Sequence, residues 1–401
     1  MIRYDLIVLL LLAFTSLYLR FHDISNPPCI VFDEIHFGGF VSSYFKGEHF
    51  FDIHPPLAKL IMFSGAKIFG FDSKFNFSEI GKAYDSDFYV NQRRISAFFS
   101  SLVPIILYFT MKLRGYSVGS SFICGFIMCF DTMSIQQGRL ILTDVILYFF
   151  VSSSILVLNM SIKNPSYKNL IILGLLLGSS VSCKFTSGSI VLYSLYMHFK
   201  NVMSYRKFIN RCLVIGLSSI LVFLLSFHIH FSILKNPGEG DAFYPKNFRS
   251  YNSFSKCIIS VYLMIKYGNS ISESHPYSSK WYQWPLLLSG PILIHRDKSY
   301  YLTLFYNPVT AIASLVGVVV STIYKNYHIL IGYCLSLIPF GFLSRVTFLY
   351  HYEIAFIFGI IGLSESSEMI KIDRWFVLSL LSVSIIIVHF ALSEIDTFRN
   401  R

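Results

Sequence analysis

The stretch Arg211-Cys212-Leu213-Val214-Ile215-Gly216-Leu217-Ser218-Ser219-Ile220-Leu221-Val222-Phe223-Leu224-Leu225-Ser226-Phe227-His228-Ile229-His230-Phe231-Ser232 carries a single Lys, Arg, Asp or Glu, at its first position. A bilayer's hydrocarbon core takes about 20 apolar residues per helix, so this run reads as a membrane span. Ten more runs of the same character lie at 6–21, 95–112, 117–132, 140–162, 170–183, 185–199, 304–324, 328–344, 346–363 and 375–393. The chain of 401 residues is 54% hydrophobic and 14% charged, with 40 Phe and 26 Tyr, and its mean hydropathy is +0.58. Soluble globular proteins are roughly 25% charged. The expected fold is therefore an all-α polytopic membrane protein of about 11 transmembrane helices, a single domain over 1–401.

This composition excludes a soluble enzyme, a nucleic-acid binder and a secreted disulfide scaffold. The net charge of +11 comes from Lys and Arg scattered singly between apolar runs, without a basic block, so no nucleic-acid partner is expected. Seven cysteines show no repeating spacing and no Cys-x-x-Cys pair. The first run, Leu6 to Leu19, lacks a small-x-small cleavage site after it and reads as a retained signal anchor. The stretch from Trp284 to Ile294 is too short to cross and holds Pro285 and Pro291, which suits an interfacial segment.

With the N-terminus cytosolic, the short cytosolic loops carry Lys112 and Arg114, Lys163 and Lys168, Lys200 with Arg206, Lys207 and Arg211, Lys325, and Lys371 with Arg374. The short loops opposite carry only Arg139, Lys184 and Arg345. Positive charge concentrates on the cytosolic side of membrane proteins, which fixes this orientation. Two long loops, 23–92 and 233–303, then lie on the far side, and the sequon Asn76-Phe77-Ser78 faces the glycosylation machinery while Asn159-Met160-Ser161 does not.

The first long loop opens with Phe32-Asp33-Glu34-Ile35-His36-Phe37-Gly38-Gly39-Phe40. Asp-Glu is a common dipeptide, but apolar walls from the neighbouring Phe and Ile residues would raise a carboxylate's pKa and improve it as a proton acceptor. The loop continues Phe51-Asp52-Ile53-His54-Pro55-Pro56-Leu57-Ala58-Lys59, where the prolines begin a helix. His54 either orients a carboxylate or phosphate or is a structural donor. Ionisable residues within membrane segments are functional hypotheses by default. Here they are Arg93, Arg94, Arg139, Asp144, Lys184, Arg345, His351 and Glu353, nearly all at the face that carries Asp33. Arg94 fits interfacial snorkelling equally well, and Asp144 an ion pair with Arg139. A ring of cations beside an acidic pair suits an anionic lipid headgroup next to a reactive centre.

Together these stretches resemble the protein O-mannosyltransferases. The similarity recurs in Arg139-Leu140-Ile141-Leu142-Thr143-Asp144, in His230 to Asp241, in His275 to Pro285 and in Arg345-Val346-Thr347-Phe348-Leu349-Tyr350-His351-Tyr352, in order along the chain. Two departures are mild: Ile35 in the acidic motif and Lys184-Phe185 in the basic-aromatic motif. The resemblance implies a GT-C type fold and an endoplasmic reticulum enzyme that transfers mannose from dolichyl-phosphate mannose to Ser or Thr hydroxyls of proteins, inverting the anomeric carbon. It implies Asp33 as catalytic base with Glu34 beside it. Donor or acceptor contacts would come from Arg20, Asp52, His54, Arg93, Arg139, Lys184, Arg345 and His351, with no metal or cofactor. The Gly38-Gly39-Phe40 and Pro56-Leu57-Ala58-Lys59 variants look most like the first subfamily, whose members pair with a second-subfamily homologue. The loop at 233–303, about 70 residues, has no room for the β-trefoil MIR domain that the family usually carries there. Two other readings are a polyprenyl-phosphate-sugar transferase acting on a glycan or lipid, and a non-catalytic transporter or scaffold. The latter expects internal repeats and charges near the bilayer midplane, whereas these gather at one face.

Overall fold

The computed structural model describes residues 2–270, 275–296, 301–369 and 374–398; Lys371 and Ser274 fall outside them. In chain order the described residues form α1 (Ile2–Phe21), α2 (Glu34–Lys46), α3 (Leu57–Ile68), α4 (Phe88–Arg114), α5 (Val118–Phe130), α6 (Thr132–Gly138), α7 (Asp144–Lys163) and α8 (Tyr167–Cys183). After these come α9 (Gly188–Lys200), α10 (Tyr205–Ile233) and α11 (Ser253–Ser270). A short antiparallel hairpin, β1 (Ile292–Arg296) and β2 (Tyr301–Leu304), precedes α12 (Pro308–Ile323), α13 (Tyr327–Leu337), α14 (Glu353–Ser367) and α15 (Arg374–Phe398).

Each of the eleven apolar runs contains a helix. By length and composition α4, α7 and α10 can each cross a bilayer alone, and α5 with α6 forms a candidate span bent by 57°. The bend falls at Asp131, whose carboxylate accepts from the Ser134 N–H at 2.9 Å and so caps the second half. The stretches Tyr167–Cys183, Pro308–Ile323, Tyr327–Phe342 and Trp375–Ile387 are apolar but shorter. These helices are those of a multi-pass membrane protein.

Lipid is as apolar as leucine, so helices in a bilayer associate through close packing rather than water exclusion, and small residues allow it. On α8, Gly174 and Gly178 sit one turn apart against α10, where an added Cβ would lie 2.5 Å from the carbonyl oxygens of Ile215 and Ser219. The Ser219 hydroxyl donates to the Gly174 carbonyl at 2.8 Å across the same contact.

The long loops are more ordered than their polarity suggests. As expected, Pro56 ends an extended stretch and Leu57 opens α3. The helix α11, in the second loop, was not anticipated. In the stretch from Trp284, expected as an interfacial segment, Leu286 and Leu288 are exposed while Trp284 is fully buried, its indole N–H donating to Ser279 Oγ at 2.9 Å and its ring packing on Phe340. The indole's one donor is satisfied inside the protein, so it needs no headgroup water. At the end of the bundle where α1, α8 and α10 finish and α4, α7 and α14 begin, the two loops enclose a cavity.

Candidate active site

The cavity holds about 630 Å³ and takes its walls from four parts of the chain: 33–54, Lys184, the second loop from Phe243 to His275, and 345–351. Its acidic member is set by a turn in the backbone. Phe32 has φ +51°, the left-handed region that a bulky side chain rarely occupies. Its ring meets Tyr350 edge-on, with centroids 6.1 Å apart. Beyond that turn the two carboxylates part company.

Asp33 lines the cavity and, among the described residues, has no hydrogen-bond or ion-pair partner for its side chain. Burial pushes its pKa up to about 6; Lys184 and His36 oppose the shift, while Asp144 and Asp52 add to it. Glu34 faces the opposite way, fully buried. Its oxygens accept five hydrogen bonds: from the Val31 N–H, the Tyr84 hydroxyl and the Ile141 N–H at 3.0 Å each, and from Arg93 Nε at 2.8 Å and Nη2 at 2.9 Å. Arg93 also donates to the carbonyls of Ile24, Pro27 and Cys29 and lies 4.8 Å from the Tyr89 ring centroid. This knot ties α2, the loop before it, α4 and the 139–142 turn together.

Lys184 caps the end of α8 and lines the cavity, but its ammonium is held by both oxygens of Asp144, at 2.7 and 2.8 Å. The partner of Asp144 is thus Lys184 and not Arg139, which reaches the Asp23 carbonyl at 2.8 Å. Arg345 lines the cavity with no carboxylate in ion-pair range among the described residues, and its Nε, though buried, has no partner there. Its Nη2 lies 3.4 Å from His351 Nε2. An arginine only donates, so His351 Nε2 accepts there, while its Nδ1 lies 3.0 Å from both the N–H and the carbonyl oxygen of Phe348. The ring is packed at small tilt on Tyr350 and Trp284.

Asp52 and His54 also line the cavity. Asp52 is ion-paired with the buried Lys59, which further donates to the carbonyls of His54 at 2.9 Å and Pro55 at 3.0 Å. That clamp fixes the His-Pro-Pro turn. Burial, with Lys184 and Arg345 nearby, holds the His54 pKa well below the ordinary histidine value, so the ring is neutral.

Of the ten residues expected to act in catalysis or substrate contact, Asp33, Asp52, His54, Lys184, Arg345 and His351 meet in the cavity. Glu34 and Arg93 form the knot beneath it, and Arg139 lies to one side. Arg20 is buried among α1, α4 and α6, donating to Ser100 Oγ at 2.7 Å, the Met128 carbonyl at 3.0 Å and Ser134 Oγ at 3.1 Å. These four do not line the cavity. Sequence reasoning missed an aromatic rim of Phe51, Phe243 and Tyr267, whose centroids are 4.7 to 5.5 Å apart. The only signal was the apolar run from Cys257 to Ile265, too short for a span.

Residues 10–235 match the family model described as dolichyl-phosphate-mannose-protein mannosyltransferase, more than half of the chain. Mannosyltransferase 4 of that description from Candida albicans is 31% identical over 270 residues, covering 61% of this chain and 35% of the relative. Mannosyltransferase 1 from Saccharomyces cerevisiae is 30% identical over 292 residues, covering 68% and 36%. The chain thus aligns with about a third of the length of these curated relatives. The solved structure of the S. cerevisiae protein O-mannosyltransferase Pmt1–Pmt2 complex bound to the sugar donor superposes with a TM-score of 0.90 over 98% of this chain and 90% of that one, at 17% identity. An Archaeoglobus fulgidus oligosaccharyltransferase gives 0.60 over 97% and 53%, at 12% identity. Both likenesses concern the fold alone.

Proposed function

The chain belongs to the dolichyl-phosphate-mannose-protein mannosyltransferase family, and we propose that it transfers mannose from dolichyl-phosphate mannose to Ser or Thr hydroxyls of proteins. The observation that carries this reading is a carboxylate, Asp33, without a partner among the described residues, facing the same cavity as an arginine, Arg345, that no carboxylate among them neutralises.

A neutral hydroxyl is a weak nucleophile, so its proton must leave as it attacks. Asp33 accepts that proton while the hydroxyl oxygen bonds to the anomeric carbon. The bond from that carbon to the phosphate oxygen breaks, and the electron pair leaves with dolichyl phosphate. Attack opposite the departing phosphate inverts the carbon. A phosphate leaving group needs cationic donors rather than a proton, and Arg345 supplies a planar fork suited to it. Lys184, already charge-balanced by Asp144, contributes less and shapes the wall. Asp52 and neutral His54 take sugar hydroxyls, and His351 steadies Arg345.

In this reading the N-terminus is cytosolic, the cavity opens to the endoplasmic reticulum lumen, and the chain pairs with a second member of its family, as the Pmt1–Pmt2 complex does. The test is transfer of labelled mannose from dolichyl-phosphate mannose to a Ser/Thr peptide by the full chain in lipid nanodiscs, alone and with a second-subfamily partner. Transfer in either arm is expected. Transfer only to a glycan or lipid acceptor would replace this reading with the related one, and failure to bind donor would end both.

A further inference from the structure

The helix α11 is apolar on two sides. One side packs inward: Cys257 and Met264 are buried in a cluster with Phe227, Phe231 and Phe248. The other carries Phe254, Ile258, Tyr262 and Ile265, spaced by four, four and three residues, so they form one stripe along the helix. All four are more than half exposed. A helix apolar on both sides is one that something covers, and contiguous exposed apolar residues mark interaction sites.

The depth of α11 is fixed by its first residue. Ser253 Oγ lies 3.1 Å from His228 Nδ1, five residues before α10 ends. At 1.5 Å per residue, α11 starts roughly 7 Å below that end, level with the span rather than above it. At its far end Tyr267 packs on Phe51 and Phe243, and the Asn269 carbonyl accepts from Ser344 Oγ at 3.2 Å. The helix therefore runs from the flank of α10 to the cavity, which Tyr267 and Ser270 of its last turn line.

We infer that α11 lies within the bilayer at the cavity end of the bundle, its Phe254–Ile265 stripe immersed in lipid and its last turn lining the cavity. Two observations favour lipid over a protein partner. The helix packs on α10, a membrane-spanning helix whose own Leu217, Leu221 and Leu225 are at least half exposed. Protein contacts within membranes favour small residues, whereas this stripe is wholly large, with Tyr262 an aromatic of the kind found at interfaces. Lys256 and Lys266 flank it, each ammonium over an aromatic ring, at 5.8 Å from Phe231 and 5.5 Å from Tyr267. The inference rests on membrane residence and stands whatever the cavity catalyses.

The test places single nitroxide labels on the full chain in nanodiscs at Ile258→Cys and Tyr262→Cys, with Leu217→Cys as the lipid reference and Lys74→Cys, a strongly exposed loop position, as the water reference. The native cysteines are buried or partly buried, and the labelled parent supplies their background. Expected is preferential broadening by oxygen at 258 and 262, matching 217 and opposite to 74. Broadening by a water-soluble nickel chelate as strong as at 74 would put the stripe in water, and exclusion of both reagents would put a protein over it; either result overturns the inference. If Tyr262→Cys fails to insert, Ile265→Cys reads the same stripe.

Discussion

Asp33 and Glu34 are adjacent and differ by one methylene, yet the cavity wall and the knot beneath it use them in opposite ways. In the wall, Asp33 has no partner among the described residues and burial lifts its pKa to about 6. In the knot, every acceptor direction of Glu34 is taken by five donors, two of them from one guanidinium. A carboxylate saturated with donors holds structure and has nothing left to offer a substrate. One left without partners costs stability and is free to take a proton. The same contrast separates Arg345 from Arg93, and Arg345 from Lys184.

The largest effect should come from Asp33→Asn, which keeps the shape but removes the acceptor. Transfer should fall by roughly 10²- to 10⁴-fold with donor binding retained, measured as labelled-mannose turnover beside donor titration. Near-normal turnover would erase the distinction between the two carboxylates. Glu34→Ala should act on folding instead. Removing one partner from a buried ion pair costs about 3–5 kcal/mol, read as a lowered thermal midpoint in nanodiscs, and the Arg93→Ala variant should match it. Since the two share one interaction, the double variant should lose much less than the sum.

Arg345→Gln should slow transfer by roughly 10²- to 10³-fold and weaken donor binding, if it grips the leaving phosphate. Lys184→Gln should cost less in donor binding, because its charge is already met by Asp144; equal losses would mean that the ion pair opens when donor arrives. Next in size is pH. A base that must be ionised gives transfer that rises about tenfold per unit up to pH about 6 and then levels, a limb that the residual activity of Asp33→Asn should lack. Stability runs the other way. The folded carboxyl holds its proton more tightly than the unfolded one, whose pKa is about 3.9. Folded chain therefore binds more protons between about pH 4 and 6, and stability falls as pH rises through that window. Asp33→Asn should abolish this fall and be no less heat-stable than the parent at neutral pH. The smallest effect is topological: exposed Asn76 should accept a glycan, and Asn159, whose amide donates to the Ile155 carbonyl within α7, should not. Mobility shifts of Asn76→Gln and Asn159→Gln in glycosylating membranes would check it, and a glycan on Asn159 would invert the chain.

Much of this was legible without coordinates. The eleven apolar runs each became helical because hydropathy and the satisfaction of backbone groups in lipid are local properties, summed along the chain. The Asp-Glu and His-Pro-Pro stretches were legible as a site because they place ionisable groups beside apolar ones at a membrane boundary. The run from Cys257 to Ile265 was visible too, but its length alone could not distinguish a packed helix from a loop.

What sequence could not reveal is which charges were already spent. Lys184 stood alone between two apolar runs, and only the fold brings Asp144, 40 residues earlier, against it. Arg93 looked like a substrate ligand until α2 and α4 met around Glu34, and Arg20 until its donors were seen to end on Ser100, Met128 and Ser134. By itself the sequence determined membrane residence, the helices and the segments that supply the candidate site, because those follow from short-range composition and periodicity. Tertiary structure decided which ionisable groups are neutralised and which face the cavity. A residue's availability depends on partners brought together from distant parts of the chain, and no local pattern encodes them.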